Sequence, residues 1–398
     1  MAEHTVIATR DDYLEAVEAI AAGTGPVAVD AERASGFKYS QRAYLIQVFR
    51  RDAGTFLFDP PAVGRFEELN AAIADEEWVL HAATQDLTCL REVGLDPKRI
   101  FDTELAARLL GMPRVGLGTV VEELLGIHLA KEHSAADWST RPLPEPWLLY
   151  AALDVELLPD LRDAIDALLV EAGKSEIARE EFEDELARDL KPSRSEPWRR
   201  LSGIHAVKGL RNLAVARELW LTRDQLAREL DTAPGRLVPD ASLTAAAKAM
   251  PETKRGLASL REFNGRASRT EIDRWWAAIE AGRTTKDLPV VRGNSDSLPP
   301  PRAWADRNPE ADARLKAARA AVTELSEQVS IPIENLLTPE TLRRVAWNPP
   351  AEITAETVGA GLAEYGARAW QIEATSQIIA QAFVEAHQNP AESDESAS

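Results

Sequence analysis

Short apolar runs and amphipathic segments alternate through the first 170 residues of the chain. Apolar runs of strand length predict strands near residues 26–31, 43–50, 55–58 and 78–81. Apolar positions at helical spacing predict helices near residues 11–22, 66–74, 84–93, 103–110 and 118–126, and one long helix over roughly 145–170. Such a mixture indicates an α/β sandwich with a mixed central sheet.

The pattern changes after residue 180. The acidic run EEFEDELARD gives way to the basic run KPSRSEPWRR, and the chain then reads as helical with short breaks that contain proline or glycine. A stretch rich in proline and polar residues separates a last helical region. We therefore predict an α/β domain, a helical domain, a linker, a second helical domain and a disordered tail, over residues 1–180, 191–285, 286–304, 305–388 and 389–398.

Composition narrows the class of protein. With 398 residues, 45% of them hydrophobic, the chain is long enough for two or three cores. The single cysteine, Cys89, excludes an internal disulfide framework and fits a reducing compartment. We find neither a signal peptide nor an apolar stretch of membrane-spanning length, so the expectation is a soluble cytoplasmic protein.

The formal net charge of −19 argues against a polyanionic partner, because lysine and arginine usually supply the affinity for phosphates. The charge is unevenly distributed, however. Residues 191–285 carry 18 basic and 11 acidic side chains, whereas residues 1–190 carry 18 basic and 37 acidic ones and residues 286–398 carry 10 and 17. The middle segment is therefore the predicted region of nucleic-acid contact.

Four acids and a tyrosine within the first 154 residues form the most informative pattern. Asp30 and Glu32 end a predicted strand two positions apart, so they point to the same face. Tyr150 and Asp154, four apart, share one face of a helix, and Asp86 lies between these pairs in HAATQDL. Taken singly, each acid could be a helix cap or a solvated charge. Together, converging carboxylates repel one another unless a hard divalent cation lies between them, which predicts metal-assisted attack on phosphate.

The text around these residues resembles the three exonuclease motifs of the ribonuclease D family of 3′→5′ exonucleases. The similarity covers roughly residues 5–170 and runs through VAVDAE, AYLIQVF, HAATQDLTCL, IFDTELAARLL and ADWSTRPLPEPWLLYAALDVELL. It implies a ribonuclease H-like exonuclease fold. Asp30 and Glu32 match the first motif, Asp86 the second, and Tyr150 with Asp154 the third.

By this resemblance the four acids bind two Mg²⁺ or Mn²⁺ ions, and Tyr150 orients the attacking water. A sister branch of the superfamily has a histidine five residues before the last acid, where this chain has Leu149, so the tyrosine branch is favoured. The text from WRRLSGIHAVKGL to AMPET resembles an HRDC domain, a small helical module of ribonuclease D and RecQ helicases. Part of this HRDC-like text is similar to a later segment, IPIENLLTPETLRRVAW. The similarity suggests a second, diverged HRDC-like domain within residues 305–388.

Further candidates lie beside the motifs. Lys131 and Arg141 are candidates for binding a terminal phosphate. Trp138 is a candidate for stacking on a base, and its alternative role is packing against the long helix. Asp102 and Thr103 are interpreted as the cap of a helix. Gln47 recurs in the family and is interpreted as a buried support of the sheet. Trp147 departs from the family, in which a polar residue is frequent at that position, and affects the expected base preference rather than catalysis.

The resemblance implies a metal-dependent 3′→5′ exoribonuclease that trims tRNA precursors, or other structured RNA with a single-stranded 3′ end, and releases nucleoside 5′-monophosphates. One alternative is a DNA 3′→5′ exonuclease that acts in repair, since proofreading domains share the catalytic core. The other is a non-catalytic RNA-binding scaffold, which the presence of all four acids and the tyrosine disfavours.

Overall fold

The architecture was established from a computed structural model, which describes residues 4–129, 135–188, 196–290 and 298–388. The predicted tail and Lys131 lie outside the described residues. Within those ranges, no helix is both long enough and apolar enough to cross a bilayer. The chain forms one α/β unit followed by two helical regions.

A six-stranded mixed sheet organises the first region, which confirms the predicted fold class. Its strands are β1 (Val6–Ile7), β2 (Thr24–Arg33), β3 (Ala43–Arg51), β4 (Gly54–Phe58), β5 (Trp78–Leu80) and β6 (Ile100–Asp102). The order across the sheet is β1-β4-β3-β2-β5-β6. β3 pairs antiparallel with β2 and β4, while β1, β5 and β6 join through parallel pairs. The two short strands β1 and β6 were not predicted from the sequence.

Among the described residues of this unit, nine helices flank the sheet: α1 (Arg10–Ala21), α2 (Pro60–Val63), α3 (Glu67–Ala72), α4 (Leu87–Glu92), α5 (Thr103–Leu109), α6 (Leu117–Leu125), α7 (Glu145–Glu156), α8 (Leu158–Glu171) and α9 (Ser175–Ala187). The single long helix predicted over 145–170 is wrong: it is interrupted at Leu157. Pro159, which follows the break, lacks an amide hydrogen and its ring would clash with the carbonyl four residues earlier. The predicted boundary at residue 180 falls within α9.

The middle region is a helical unit with its own apolar core, which includes Val215, Leu219, Trp275 and Ile279. Its helices are α10 (Leu210–Leu230), α11 (Pro234–Leu237), α12 (Asp240–Ala249), α13 (Lys254–Ala258), α14 (Arg266–Thr270) and α15 (Ile272–Thr284), preceded by 3₁₀ turns at Pro197–Arg200 and Ile204–Ala206. A Cβ at Gly282 would lie 2.5 Å from the Val215 Cα, so a glycine is needed where α15 crosses α10.

The last region comprises α16 (Trp304–Arg307), α17 (Pro309–Val329), α18 (Ile333–Leu336), α19 (Pro339–Trp347), α20 (Ala355–Glu364) and α21 (Ala369–Gln388), after a 3₁₀ turn at Pro301–Ala303. Its apolar side chains continue the hydrophobic cluster of the sheet region. On α9, Glu181 accepts a hydrogen bond from the Trp370 indole at 2.6 Å and pairs with Arg368. Packing and charge therefore fix this region to the α/β unit.

The middle region contacts the α/β unit through the connection between β2 and β3. The Arg236 guanidinium donates to the Gly36 carbonyl at 2.6 Å, and the Ala233 amide donates to the Phe37 carbonyl at 2.9 Å. Asp231 accepts from the Ser40 amide at 2.9 Å. Since β2 ends at Arg33, this contact begins only three residues beyond the end of that strand.

Candidate active site

Two of the predicted acids lie at the C-terminal end of β2. The apolar run Val27 to Val29 is buried in the sheet, and Asp30 and Glu32 follow it at half-buried positions on one face of the strand. Asp30 lies opposite Gln47 of β3. The fully buried Gln47 amide donates to Asp30 Oδ2 at 3.4 Å. Gln47 thus supports the position of an acid as well as the sheet.

Asp86 is carried by a tight turn after β5. Ala82 has a left-handed backbone (φ 61°, ψ 55°), and the next three residues form a 3₁₀ turn, after which Asp86 occupies the N-cap position of α4. Asp102 Oδ1 and Oδ2 accept hydrogen bonds from the Ala82 and Ala83 amides at 3.0 and 2.6 Å. The buried Asp102 carboxylate therefore anchors the turn that presents Asp86.

Asp102 is also the N-cap of α5, as the sequence predicts. Its Oδ1 accepts from the amides of Glu104 and Leu105 at 2.8 and 3.1 Å. The Thr103 hydroxyl donates to the Leu80 carbonyl and lies 2.9 Å from His81 Nδ1. Neither Asp102 nor Thr103 was assigned to the predicted site. The sequence predicted the cap of α5, but it did not reveal that the same Asp102 carboxylate also anchors the turn before Asp86.

The two residues of the third predicted motif, Tyr150 and Asp154, lie on α7, which packs across β2, β3 and β4. Tyr150 and Asp154 are one helical turn apart, and the tyrosine hydroxyl donates a hydrogen bond to the Asp154 carboxylate. Burial and, next, the negative charge of Asp154 raise the pKa of Tyr150. The phenol therefore keeps its proton at neutral pH and acts as a hydrogen-bond donor.

The structure brings all four acids together. Carboxylate oxygens of Asp30, Glu32 and Asp154 lie within 4.8 Å of one another, and Asp86 shares a hydrogen bond with Asp30. Burial raises the pKa of each of the four acids and is the largest cause in every case. Repulsion between the carboxylates raises the pKa values of Glu32, Asp86 and Asp154 further, and the pKa of Asp154 reaches about 8. The cluster is costly to ionise without a compensating positive charge.

This donor set fits a hard divalent cation. Every ligand atom in the cluster is a carboxylate oxygen, the donor that Mg²⁺ and Mn²⁺ prefer. A cation among the acids would favour their ionised forms and so remove the cost of holding them close together. The four residues that would hold it are Asp30, Glu32, Asp86 and Asp154.

A cavity of about 470 Å³ opens onto the acids. It is lined by the four carboxylates and Tyr150, and also by Arg33, Gln85 and Leu129. The Arg33 guanidinium lies 3.6 Å from Asp86 Oδ1. Arg33 was not among the predicted site residues: it follows Glu32 directly, but in a regular strand its side chain would point to the opposite face.

The predicted substrate contacts of Trp138 and Arg141 do not match their positions. Trp138 is fully buried beside Trp147, with ring centroids 5.3 Å apart, so it has no free face for a base and fulfils the packing alternative. Arg141 donates to Asp59 Oδ2 at 2.6 Å and to the carbonyls of Trp138, Thr140 and Tyr44, outside the lining of the cavity. Its guanidinium therefore supports the fold of this segment.

Comparison with protein families identifies three regions of the chain. A family model described as "3'-5' exonuclease" matches residues 5–169, one described as "HRDC domain" matches residues 212–279, and one described as "3' to 5' exonuclease C-terminal domain" matches residues 297–383. Ribonuclease D of Pseudomonas paraeruginosa is 31% identical over 322 residues, which cover 78% of this chain and 81% of that protein. The similarity thus extends through both helical regions.

Solved structures are also similar to this chain over most of its length. A protein from Bifidobacterium adolescentis is 37% identical, with a TM-score of 0.89 over 96% of this chain and 97% of its own. Escherichia coli RNase D, described as an exoribonuclease involved in structured RNA processing, is 26% identical, with a TM-score of 0.69 over 91% of this chain and 98% of its own. The order of the three regions is therefore shared with proteins of known fold.

Proposed function

This chain belongs to the ribonuclease D family and is a 3′→5′ exoribonuclease, and from that premise we propose that it hydrolyses the terminal phosphodiester of RNA at the four-acid cluster. One observation carries the proposal: oxygens of Asp30, Glu32 and Asp154 converge within 4.8 Å at the base of an open cavity, with Asp86 beside them. The products are nucleoside 5′-monophosphates, released one at a time.

Two divalent cations, Mg²⁺ or Mn²⁺, are the proposed cofactors. When bound, such cations lower the pKa of water and stabilise negative charge on a phosphate. Asp30, Glu32, Asp86 and Asp154 would hold them, and Gln47 and Asp102 keep two of these acids in place. Binding therefore requires the acids to be ionised, which couples metal affinity to pH.

Tyr150 orients the nucleophile in this proposal. Its raised pKa keeps the hydroxyl protonated, and its bond to Asp154 fixes the direction of the oxygen toward the cluster. A water that donates a hydrogen bond to this oxygen is held beside the terminal phosphate, so that less orientational freedom is lost in the transition state. The packing of Tyr150 against the buried Trp138, with ring centroids 6.5 Å apart, fixes the phenol ring.

The proposed substrate is a structured RNA with a single-stranded 3′ end, such as a tRNA precursor. The related E. coli enzyme is described as acting in structured RNA processing. In this chain, α13, α14 and the loop between them expose five basic residues: Lys254, Arg255, Arg261, Arg266 and Arg269. α14 packs against α11, and α11 contacts the connection that follows β2, the strand that carries Asp30 and Glu32.

A time course on matched RNA and DNA tests the proposal. Each substrate carries a duplex, a single-stranded 3′ end and a 5′ label, and is incubated with Mg²⁺, Mn²⁺ or EDTA. We expect RNA to shorten from the 3′ end with 5′-monophosphate products, and EDTA to stop the reaction. Faster shortening of DNA would favour the repair alternative, and no shortening of either substrate would favour the scaffold.

A further inference from the structure

Arg33 is the last residue of β2 and follows Glu32 directly. In a regular strand its side chain would point away from Asp30 and Glu32. The pairing of β2 with β3 is irregular here, however: Glu32 lies opposite Leu45 and Arg33 opposite Ala43, so Tyr44 is skipped. A bulge of this kind redirects neighbouring side chains, and Arg33 lines the same cavity as the acids.

The guanidinium of Arg33 is only lightly engaged by the protein. Among the described residues its side chain makes one polar contact, the 3.6 Å approach to Asp86, and about a quarter of the side chain (26%) is exposed. Two other arginines of this unit behave differently. Arg141 and Arg50 each place their guanidinium donors on several carbonyl or carboxylate oxygens. The planar guanidinium of Arg33 thus retains donors that face an open cavity.

Arg33 is also the only cationic side chain among the described residues that line this cavity. Its positive charge is felt at Asp30, Glu32 and Asp86, since it lowers the pKa of each. Because the Arg33 guanidinium lies this close to the acids, it also lies close to any phosphate that is bound at the acids. Arginine presents parallel N–H donors that match two oxygens of one phosphate.

We propose that Arg33 is a further catalytic residue, which donates hydrogen bonds to non-bridging oxygens of the scissile phosphate as negative charge accumulates on it. The inference rests on the proposed function, because it places the scissile phosphate at the four acids. Donors that are aligned in advance with developing charge act more strongly on the transition state than on the bound substrate. The effect of Arg33 therefore falls on kcat more than on KM.

The test compares Arg33→Met, Arg33→Lys and the control Arg179→Met, which removes an exposed arginine that pairs with acids of its own helix. With a 5′-labelled oligoribonucleotide at saturating Mg²⁺, we expect Arg33→Met to lower kcat about 10²-fold and KM to change less than about threefold. Arg33→Lys keeps the charge and should recover part of the rate. Melting curves establish that each variant is folded.

A purely structural role of Arg33 as the counter-ion of Asp86 gives a different result. Loss of the positive charge would then lower the Mg²⁺ concentration for half-maximal rate, while kcat at saturating Mg²⁺ would stay within threefold of the wild-type value. That result would overturn the proposal.

Binding in EDTA supplies a readout that needs no hydrolysis. Arg33→Met should weaken binding of the all-phosphate oligoribonucleotide by about twofold, in keeping with the small change expected in KM, and it should leave unchanged the binding of one whose terminal linkage is an uncharged methylphosphonate. Equal losses for both oligonucleotides would overturn the contact with the scissile phosphate. Inactivity of the wild-type protein would contradict the proposed function, while this binding comparison would still decide the contact of Arg33.

Discussion

The Gln47 side-chain amide donates to the Asp30 carboxylate across the β2–β3 pair, at 3.4 Å, from a fully buried position. This relationship makes a residue of the sheet interior part of the active site. Asp30 belongs to a cluster whose members repel each other, so its orientation depends on partners that hold it. Residues that orient a metal ligand commonly matter almost as much as the ligand itself.

Gln47→Leu removes this hydrogen bond while the side chain remains similar in size. We expect the Mg²⁺ concentration for half-maximal rate to rise and the rate to fall by about 10- to 100-fold. Gln41→Leu in the exposed connection after β2 is the matched control. Unchanged kinetics of Gln47→Leu in a metal titration would limit Gln47 to packing.

Tyr150→Phe should lower kcat by about 10²-fold and leave RNA affinity nearly unchanged. The substitution keeps the ring that packs near Trp138 and removes only the hydroxyl. Single-turnover rates and fluorescence anisotropy with the same oligoribonucleotide give the two quantities. A rate within threefold of the wild-type value would make Tyr150 a packing residue.

Asp102→Ala should lower both stability and activity, because four amides lose their acceptor and the turn before Asp86 loses its anchor. An unsatisfied buried donor costs about 1–3 kcal/mol, so a fall of that size or more in the free energy of unfolding is expected. Thr253→Ala removes the cap of an exposed helix in the middle region and is the control. Full activity of folded Asp102→Ala would show that the turn holds Asp86 without it.

The pH dependence of stability follows from Glu185 on α9. Burial, followed by the charge of Asp102, raises the pKa of Glu185 to about 9, above its ordinary value of 4.5. The folded state therefore binds a proton that the unfolded state releases, and this group makes the protein less stable as pH rises from about 4.5 to about 9. Glu185→Gln should raise the melting temperature more at pH 8.5 than at pH 5.5. An equal shift at both pH values would contradict the assignment.

The basic edge on α13 and α14 should hold RNA. Replacing Arg255, Arg261 and Arg266 with glutamine should weaken binding and flatten its salt dependence, by about 0.7 in the logarithmic slope for each lost single-strand contact. The control replaces Arg302, Arg307 and Arg319, which are also exposed and lie in the last region. Identical slopes for the two triple variants would assign the middle region another role.

The sequence was sufficient to predict the mixed sheet and the helical regions. It also singled out Asp30, Glu32, Asp86, Tyr150 and Asp154, which line one cavity in the structure, while their roles stay a prediction. Apolar runs of strand length, helical periodicity and fixed spacings on one strand and one helix carry that information locally. β1 and β6 were missed because two- and three-residue strands form through pairing with distant neighbours, which leaves little local pattern. The break at Leu157 was missed because strong helical periodicity continues on both sides of Pro159.

The partners of the site residues were harder to predict because they depend on tertiary contacts. Arg33 points into the cavity only because the β2–β3 pairing is irregular beside it. Trp138 and Arg141 have the composition of a substrate-binding segment, yet one is fully buried and the other binds carbonyl oxygens of its own fold. Residue type and position next to a motif did not distinguish contact with substrate from support of the fold.

The central claim is that the four carboxylates hold the divalent cations that hydrolysis needs. It is tested most directly by comparing wild type with Asp154→Asn in two measurements, calorimetric titration with Mn²⁺ and hydrolysis of a 5′-labelled oligoribonucleotide in Mg²⁺ or EDTA. We expect wild type to bind two Mn²⁺ ions and to shorten RNA only with metal present, and folded Asp154→Asn to lose at least one ion and nearly all activity. Undiminished hydrolysis by Asp154→Asn, or hydrolysis by wild type in EDTA, would contradict the claim.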